Sequence, residues 1–297
     1  MSQIVKIRRM KLEDLLEVIR VCNQAFIESA RVTQYIGPQL VRSLIEEPEA
    51  QLVAEVDNKV VGFLRGKFDF KTKRAVIAHI AVHPEYQGRG IGKKLVEYFE
   101  NIAASKGLNK VILGTPFAKG FYEKLGYKCV KTTYAVLYSL VGREVIKPEV
   151  RGFKILDPIE LNHITVVVKS LEKDEAYRFL THYFDMYKAR YKLSALVISG
   201  DEVKGIIIGK EHEWIKDLLT ITYLYSSSLK MKLWLLKLAA YKASLLGLRY
   251  LGIRTDDFSL VEELLKEGWE VKSLDTFWTG YTMEKEIKLN KCDTTNA

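Results

Sequence analysis

One stretch of the chain combines residue types and spacing that could do chemistry. An apolar run, Ile77–Val82, is followed by His83-Pro84-Glu85-Tyr86-Gln87-Gly88-Arg89-Gly90-Ile91-Gly92, and then by residues at helical spacing. Glycines at a strand-to-helix turn let backbone N–H groups approach an anion with no Cβ in the way. The start of a helix adds a partial positive charge and donors without intrahelical partners. Together these would cradle a phosphate. A glycine-rich turn that binds nothing has the same local sequence, so the stretch does not decide alone. Two known phosphate sites are excluded. A P-loop needs a Gly-Lys-Ser/Thr ending, which is missing. A dinucleotide fingerprint needs a parallel setting and a later acidic strand end, whereas the preceding pattern is antiparallel and no such acid follows.

The elements that must position this turn are legible around it. Ile4–Arg8 is expected as a short strand and Leu12–Phe26 as a helix, with Leu12, Leu15, Leu16, Val18, Ile19 and Cys22 at helical spacing. Pro38–Glu46 is a second short helix. Gln51–Glu55 and Lys59–Phe68 are strands joined at Asp57-Asn58, a hairpin turn. Arg74–Val82 is a long strand, and a helix over Ile91–Lys106 ends at Gly107. Lys110–Leu113 is a buried strand, Phe117–Leu125 a short helix closed by Gly126, and Lys128–Leu140 the final strand region of this half.

Similar phrases return later. Ala195–Ser199, the turn Gly200-Asp201-Glu202 and Val203–Gly209 match the first hairpin, Asp217–Tyr225 the long strand, and Met231–Leu246 the long helix. Lys106-Gly107-Leu108 is answered by Leu246-Gly247-Leu248, and Lys124-Leu125-Gly126-Tyr127 by Lys266-Glu267-Gly268-Trp269. The shared order points to a duplication. The expected domains are residues 1–145 and 150–297, with a linker near Pro148.

Composition narrows the class. With 297 residues, 48% of them apolar and 28% charged, the chain can bury a sizeable core. No apolar run approaches the roughly 20 residues of a membrane span, and the charged N-terminus has no apolar signal region. Cys22, Cys129 and Cys292 are far apart and lack metal-ligand spacing, which suits a reducing compartment. The expectation is a cytoplasmic protein without membrane or metal. Residues 1–148 carry 24 Lys+Arg against 15 Asp+Glu, or +9, so the whole net charge lies in the first half. A basic solvated surface and a site for an anionic partner both fit that excess. Nucleic acid is disfavoured, because no reading motif accompanies the charge.

At this point the residues resemble a family, the GNAT superfamily of acyl-CoA-dependent N-acyltransferases. Its signature, Gln/Arg-x-x-Gly-x-Gly/Ala, matches Gln87-Gly88-Arg89-Gly90-Ile91-Gly92, preceded by the family-like phrase Ala81-Val82-His83-Pro84-Glu85-Tyr86. A second family phrase follows, Phe121-Tyr122-Glu123-Lys124-Leu125-Gly126-Tyr127. The resemblance implies an α/β (α+β) fold of two tandem GNAT-like domains, each a mixed, mainly antiparallel sheet flanked by helices, the second one degenerate. It implies that the N–H groups of Gly88, Arg89, Gly90, Ile91 and Gly92, with Lys93 in the same turn, hold the pyrophosphate of acetyl-CoA, flanked by the Gln87 and Arg89 side chains. The pantetheine arm would lie along Ile80, Ala81 and Val82, with the thioester carbonyl near the Ile80 N–H. Tyr122, beside Phe121, matches the family's general acid, and Lys124 and Lys119 would face the 3′-phosphate of CoA.

The chain also departs from the pattern. Thr115 stands where many members carry Asn. Val76 and Ala78 stand where many carry a basic Glu or His. His79 is the nearby candidate, but strict alternation turns it to the opposite face unless a bulge intervenes. Otherwise a water, an acid of the loop containing Glu28, Arg31 and Tyr35, or no dedicated group would take the proton. In the second half, Ser226-Ser227-Ser228 replaces the glycines and Glu263-Leu264 the Phe-Tyr pair, so that half is expected to wall the acceptor site or form an oligomer contact. The expected activity is transfer of an acetyl group from acetyl-CoA to a primary amine by direct attack in a ternary complex. The alternative is a CoA-binding regulator or interaction module without turnover.

Overall fold

The computed structural model describes residues 4–26, 32–149, 152–274 and 277–288, with only the backbone for 32–35. Glu28, Arg31 and Cys292, and the side chain of Tyr35, therefore lie outside the described residues. Along the first half run β1 (Lys6–Arg9), α1 (Leu15–Ala25), α2 (Val32–Glu46), β2 (Gln51–Val56), β3 (Lys59–Asp69), β4 (Arg74–Val82), α3 (Ile91–Ser105), β5 (Lys110–Thr115), α4 (Lys119–Lys124) and β6 (Lys128–Ser139). The second half adds β7 (Lys154–Leu156), α5 (Leu161–Ser170), α6 (Lys173–Met186), β8 (Lys192–Ser199), β9 (Glu202–Glu211), β10 (Leu218–Tyr225), α7 (Leu229–Leu245), β11 (Tyr250–Thr255), α8 (Phe258–Lys266), β12 (Glu270–Val271) and β13 (Gly280–Glu286).

The chain forms two units, residues 1–132 with 280–297, and residues 133–279. The division is not the one expected from sequence, which placed residues 1–145 in one contiguous domain. The first unit has strand order β1-β2-β3-β4-β5-β13, and the second β7-β8-β9-β10-β11-β6. Each is antiparallel except for one parallel pair, β4 with β5 and β10 with β11. The orders correspond strand for strand, so the duplication is visible in topology. In the last position, however, the halves have exchanged strands. β13 pairs with β5 from Tyr281↔Thr115 to Glu286↔Lys110, while β6 pairs with β11 from Thr255↔Tyr134 to Tyr250↔Ser139.

In the first unit the sheet is buried on both faces. One face packs Leu52, Leu64, Ala75 and Ile77 against Leu95, Val96 and Phe99 of α3. The other packs Val53, Phe63 and Ala81 against Val18 and Cys22 of α1 and Ile36 and Leu40 of α2. The approach of α3 depends on Gly66, where a Cβ would fall 2.2 Å from the Phe99 ring. The β2–β3 turn places both Asp57 and Asn58 at positive φ, as a two-residue hairpin of that type requires.

Several elements differ from the expectation. Leu12 and Leu16 are exposed, and the α1 core face is Val18, Val21 and Cys22. α2 begins well before Pro38 and passes through it. A proline inside a helix removes a backbone donor, yet complete burial of Ile36 and Leu40 on either side keeps the helix on the sheet. Residues 161–186 were assigned no element, although Ile164, Val167 and Val168, then Ala176, Phe179 and Tyr183, follow helical spacing and pack on the second sheet.

The exchange makes β13 a structural part of the first unit. Met283 is completely buried in its core, and Lys110 pairs with Glu284 at 3.0 Å. A chain ending at residue 148 therefore leaves one edge of β5 without backbone partners and a core position empty, a loss of roughly 2–5 kcal/mol for the methionine alone. Thermal unfolding followed by circular dichroism should show no cooperative transition for residues 1–148 under conditions where the full chain melts sharply. A transition within a few degrees of the full chain's would show that β13 is dispensable.

Candidate active site

The site begins where two strands part. β4 and β5 pair in parallel only from Arg74↔Lys110 to Ile77↔Leu113, although β4 runs on to Val82 and β5 to Thr115. On its other side β4 keeps pairing with β3, but Arg65 faces His79 and Gly66 faces Ile77, so Ala78 is an unopposed extra residue. This bulge sits at the point of parting. Beyond it the backbone groups of β4 alternate in direction. The His83 N–H bonds to the Val61 carbonyl at 2.8 Å, toward β3, so the N–H groups of Val82 and Ile80 point the other way, into the gap. The Val82 carbonyl likewise faces away from β3 and accepts from the Gln87 side chain at 2.9 Å.

The glycine turn closes one end of this gap. Gly88 and Gly90 have φ of 74° and 77°, a region in which a Cβ costs about 1–2 kcal/mol. A Cβ at either would meet no atom within 4 Å, so the space beside the backbone is open. Gly90 caps α3 without a side-chain hydrogen bond, and the Lys94 N–H makes the first helical bond, to the Gly90 carbonyl. The N–H groups of Ile91, Gly92 and Lys93 are thus left without intrahelical acceptors. An uncapped helix end beside open space suits an anion, and a CoA pyrophosphate fits these donors. The two side chains expected to flank the anion are engaged with the loop: Gln87 as above, and Arg89 donating to the Glu85 carbonyl at 2.8 Å and lying over the Tyr86 ring.

α4 brings Tyr122 next to this region. The Phe121 ring packs over Gly92, at ordinary contact distance from where a Cβ would stand. Tyr122 is 3% exposed, and Phe121 and Tyr127 meet its ring edge-on at 5.0 and 5.5 Å. Burial pushes its phenol up to about 12, so it is a full proton donor at neutral pH. Thr115 is buried, and its hydroxyl accepts the Ala118 N–H at 3.0 Å, fixing the entry to α4. Lys93 and Lys124 are exposed and Lys119 is half-buried. Lys93 lies 3.7 Å from Glu97, and Lys119 lies 3.8 Å from Glu123 and over the Tyr281 ring.

The bulge at Ala78 turns His79 to the face shared with Ala81 and α2. Its Nδ1 accepts from the Arg65 Nε–H at 3.1 Å, so the ring proton of the neutral form sits on Nε2. Arg65 also donates to the Ser43 hydroxyl at 3.0 Å and to the Gln39 carbonyl oxygen at 2.7 Å. Burial, with a smaller contribution from the Arg65 charge, lowers the His79 pKa to about 4. Such an imidazole is a weak base whose acceptor nitrogen is occupied. Arg65, Ser43 and Gln39 carried no signal in the sequence, because their meeting depends on the register of β3 against α2.

The second unit repeats the geometry and changes the chemistry. β10 and β11 pair only from Leu218↔Tyr250 to Ile221↔Ile253, with Thr222 as the extra residue opposite β9. Here, however, the helix start is capped: the Ser228 hydroxyl accepts the Met231 N–H, and the Ser226 hydroxyl accepts the Ser228 N–H. Lys232, in the first turn of α7, pairs with Asp257 at the N-cap of α8. The buried residue corresponding to Tyr122 is Leu264. Among the described residues of the whole chain, no three His, Cys, Asp or Glu side chains form a metal-binding group, and no helix is long and apolar enough to cross a membrane.

The His79 environment carries a pH signature. Its folded pKa lies below the unfolded value of 6.5, so its contribution to stability is complete above about pH 6.5 and is lost as the pH falls toward 4. Urea unfolding of the wild type should therefore show about 2–3 kcal/mol lost between pH 7 and 4.5 that His79→Gln does not lose. Identical losses in the two proteins would mean that His79 is protonated freely in the fold.

The model of the acetyltransferase (GNAT) family matches residues 12–127. An acetyltransferase of Photorhabdus laumondii is 31% identical over 130 residues, covering 44% of this chain and 86% of that one. Another, of Yersinia pestis, is 34% identical over 107 residues, covering 35% and 74%. A tandem GNAT protein from the clavulanic acid biosynthesis pathway shares the fold over 95% of this chain and 98% of its own, with a TM-score of 0.64 at 13% identity. A GCN5-related N-acetyltransferase of Sphaerobacter thermophilus does so over 96% of each chain, with a TM-score of 0.62 at 14% identity. With its glycine cradle, parted strands and doubled topology, the chain belongs to the GNAT family and is an acyl-CoA-dependent acyltransferase.

Proposed function

We propose that the first unit moves an acetyl group from acetyl-CoA to a primary amine, by direct attack with both substrates bound. The observation that carries this is the gap beside Ala78–Val82, which has an uncapped helix start at one end and a buried, protonated tyrosine on the neighbouring helix. Acetyl-CoA supplies an activated acyl group. The N–H groups of Ile91, Gly92 and Lys93 would hold its pyrophosphate, and the edge of β4 its pantetheine arm. The Ile80 N–H would donate to the thioester oxygen as negative charge builds there. Tyr122 would give its proton to the departing sulfur.

The depressed basicity of His79 argues against a dedicated base of ordinary strength. The acceptor amine would enter neutral or lose its proton to water, so the rate should rise with pH through the pKa of that amine. The same observation favours one other assignment, a CoA-binding regulator without turnover. The half-buried Lys119 and the exposed Lys124 would, by resemblance, face the 3′-phosphate of CoA. The capped α7 and Leu264 support a second unit that does not take CoA, and the odd, scattered cysteines support work in the cytoplasm.

Tyr122→Phe separates enzyme from regulator. Transfer to a primary amine should fall roughly 100-fold, while the calorimetric affinity for acetyl-CoA stays within about twofold, because the phenol donates to the leaving group and not to the phosphates. No transfer by the wild type to any of a broad panel of amines, despite tight binding, would establish the regulator. An unchanged rate in the variant would remove Tyr122 from the reaction.

A further inference from the structure

The exchanged strand does more than close a sheet edge. Lys285 on β13 reaches Glu100 of α3, with Nζ 2.7 Å from Oε2. The other carboxylate oxygen of Glu100 accepts the Tyr127 hydroxyl at 2.9 Å. The Lys285 ammonium also lies 5.5 Å from the centre of the Tyr127 ring, and its stem passes the open face of Gly126, where a Cβ would be 3.8 Å from Cε. The Tyr127 ring in turn meets Tyr122 edge-on at 5.5 Å. Lys285, Glu100, Tyr127 and Tyr122 thus form one line of contacts inside the first unit.

Two features give this line consequences. The Glu100 side chain is only 11% exposed, and its two oxygens are engaged by Lys285 and Tyr127, so these two partners fix its orientation. Without the Lys285 ammonium, one oxygen of the Glu100 carboxylate loses its partner and the side chain is free to turn toward water. That change weakens its hold on Tyr127. The Tyr122 hydroxyl has no hydrogen bond among the described residues, so its ring is held by packing within the core of the first unit. Of the two rings that meet it edge-on, Phe121 is exposed and Tyr127 is buried, and the buried ring is the one tied to a further side chain. Burial and the nearby Glu100 charge raise the Tyr127 phenol far above its usual range, so it remains a donor to Glu100 at every working pH.

We propose that Lys285 is a positioning residue for the acyl-transfer site, acting through Glu100 and Tyr127 to fix the angle of Tyr122. By this route the polypeptide beyond the second unit takes part in the chemistry of the first, and a role follows for the second half of the chain even though it lacks a cradle of its own. The proposal rests on Tyr122 as the acid, and the test below judges the two separately.

The test uses the full chain labelled with fluorotyrosine, the Tyr122 fluorine line being assigned by its disappearance in Tyr122→Phe. Lys285→Met keeps the stem and removes the charge, Lys285→Arg keeps the charge, and Tyr127→Phe keeps the ring and removes the bond to Glu100. The Tyr122 line should shift in Lys285→Met and in Tyr127→Phe, and return in Lys285→Arg. Transfer from acetyl-CoA to a simple primary amine should fall roughly tenfold in Lys285→Met, with acetyl-CoA affinity unchanged. In a Tyr122→Phe background the same change should cost less than about twofold, as expected when two residues act through one another. A Tyr122 line that stays in place in both Lys285→Met and Tyr127→Phe overturns the proposal, as does an equal rate loss in both backgrounds. If Tyr122→Phe transfers at the wild-type rate while the line still shifts, the acid assignment fails and the positioning of the ring stands.

Discussion

A backbone that leaves its partner strand must place its N–H and C=O groups somewhere, and that requirement organises the first unit. β4 and β5 separate after Ile77 and Leu113, next to the extra residue Ala78. From there to Val82 one edge of a central strand is unpaired in the middle of a sheet. Such an edge would ordinarily be a liability. Here it lies beside an uncapped helix start and a buried tyrosine, and an extended, amide-bearing arm is the kind of partner that such an edge can pair with. The bulge has a second effect. By turning His79 toward Arg65 it uses up the ring nitrogen that a base would need.

The second unit keeps the same frame and differs at the helix start. β10 and β11 part at the corresponding place, and Thr222 repeats the bulge. What changes is the helix start. Ser228 and Ser226 supply from within the chain the acceptors that an anion would otherwise supply, and Lys232 is committed to Asp257. A donor satisfied internally has nothing to gain from a phosphate. The two units therefore separate two properties that usually travel together, a sheet shaped for an extended arm and a turn shaped for an anion.

Much of this was legible in the sequence, and the remainder was hidden for physical reasons. Gly88 and Gly90 announce a backbone conformation that side chains resist, and Asp57-Asn58 announces a hairpin, because both are local constraints written in single residues. The helical spacing of Ile91, Leu95 and Phe99 likewise gave α3 almost to the residue. The helices at 161–186 carried a comparable pattern that went unassigned. The exchange of β6 and β13 could not be read, because the strand that completes the first sheet follows the whole second unit in sequence and only the complete fold brings it there. The same holds for Lys285 and Glu100, 185 positions apart. A pair of charges at that separation has no sequence signature at all.

The order of synthesis gives the exchanged strand a temporal meaning. The second unit is complete in sequence by residue 279, with β6 already made, whereas the first lacks its last strand until residues 280–286 emerge. At about 5–20 residues per second, segment 133–279 takes roughly 7–30 s to be made. For that interval the first unit exists without the strand that carries Met283 and Lys285. The half that begins first is finished last, and a ribosome that stops early releases a chain whose cradle residues are all present but whose sheet is open.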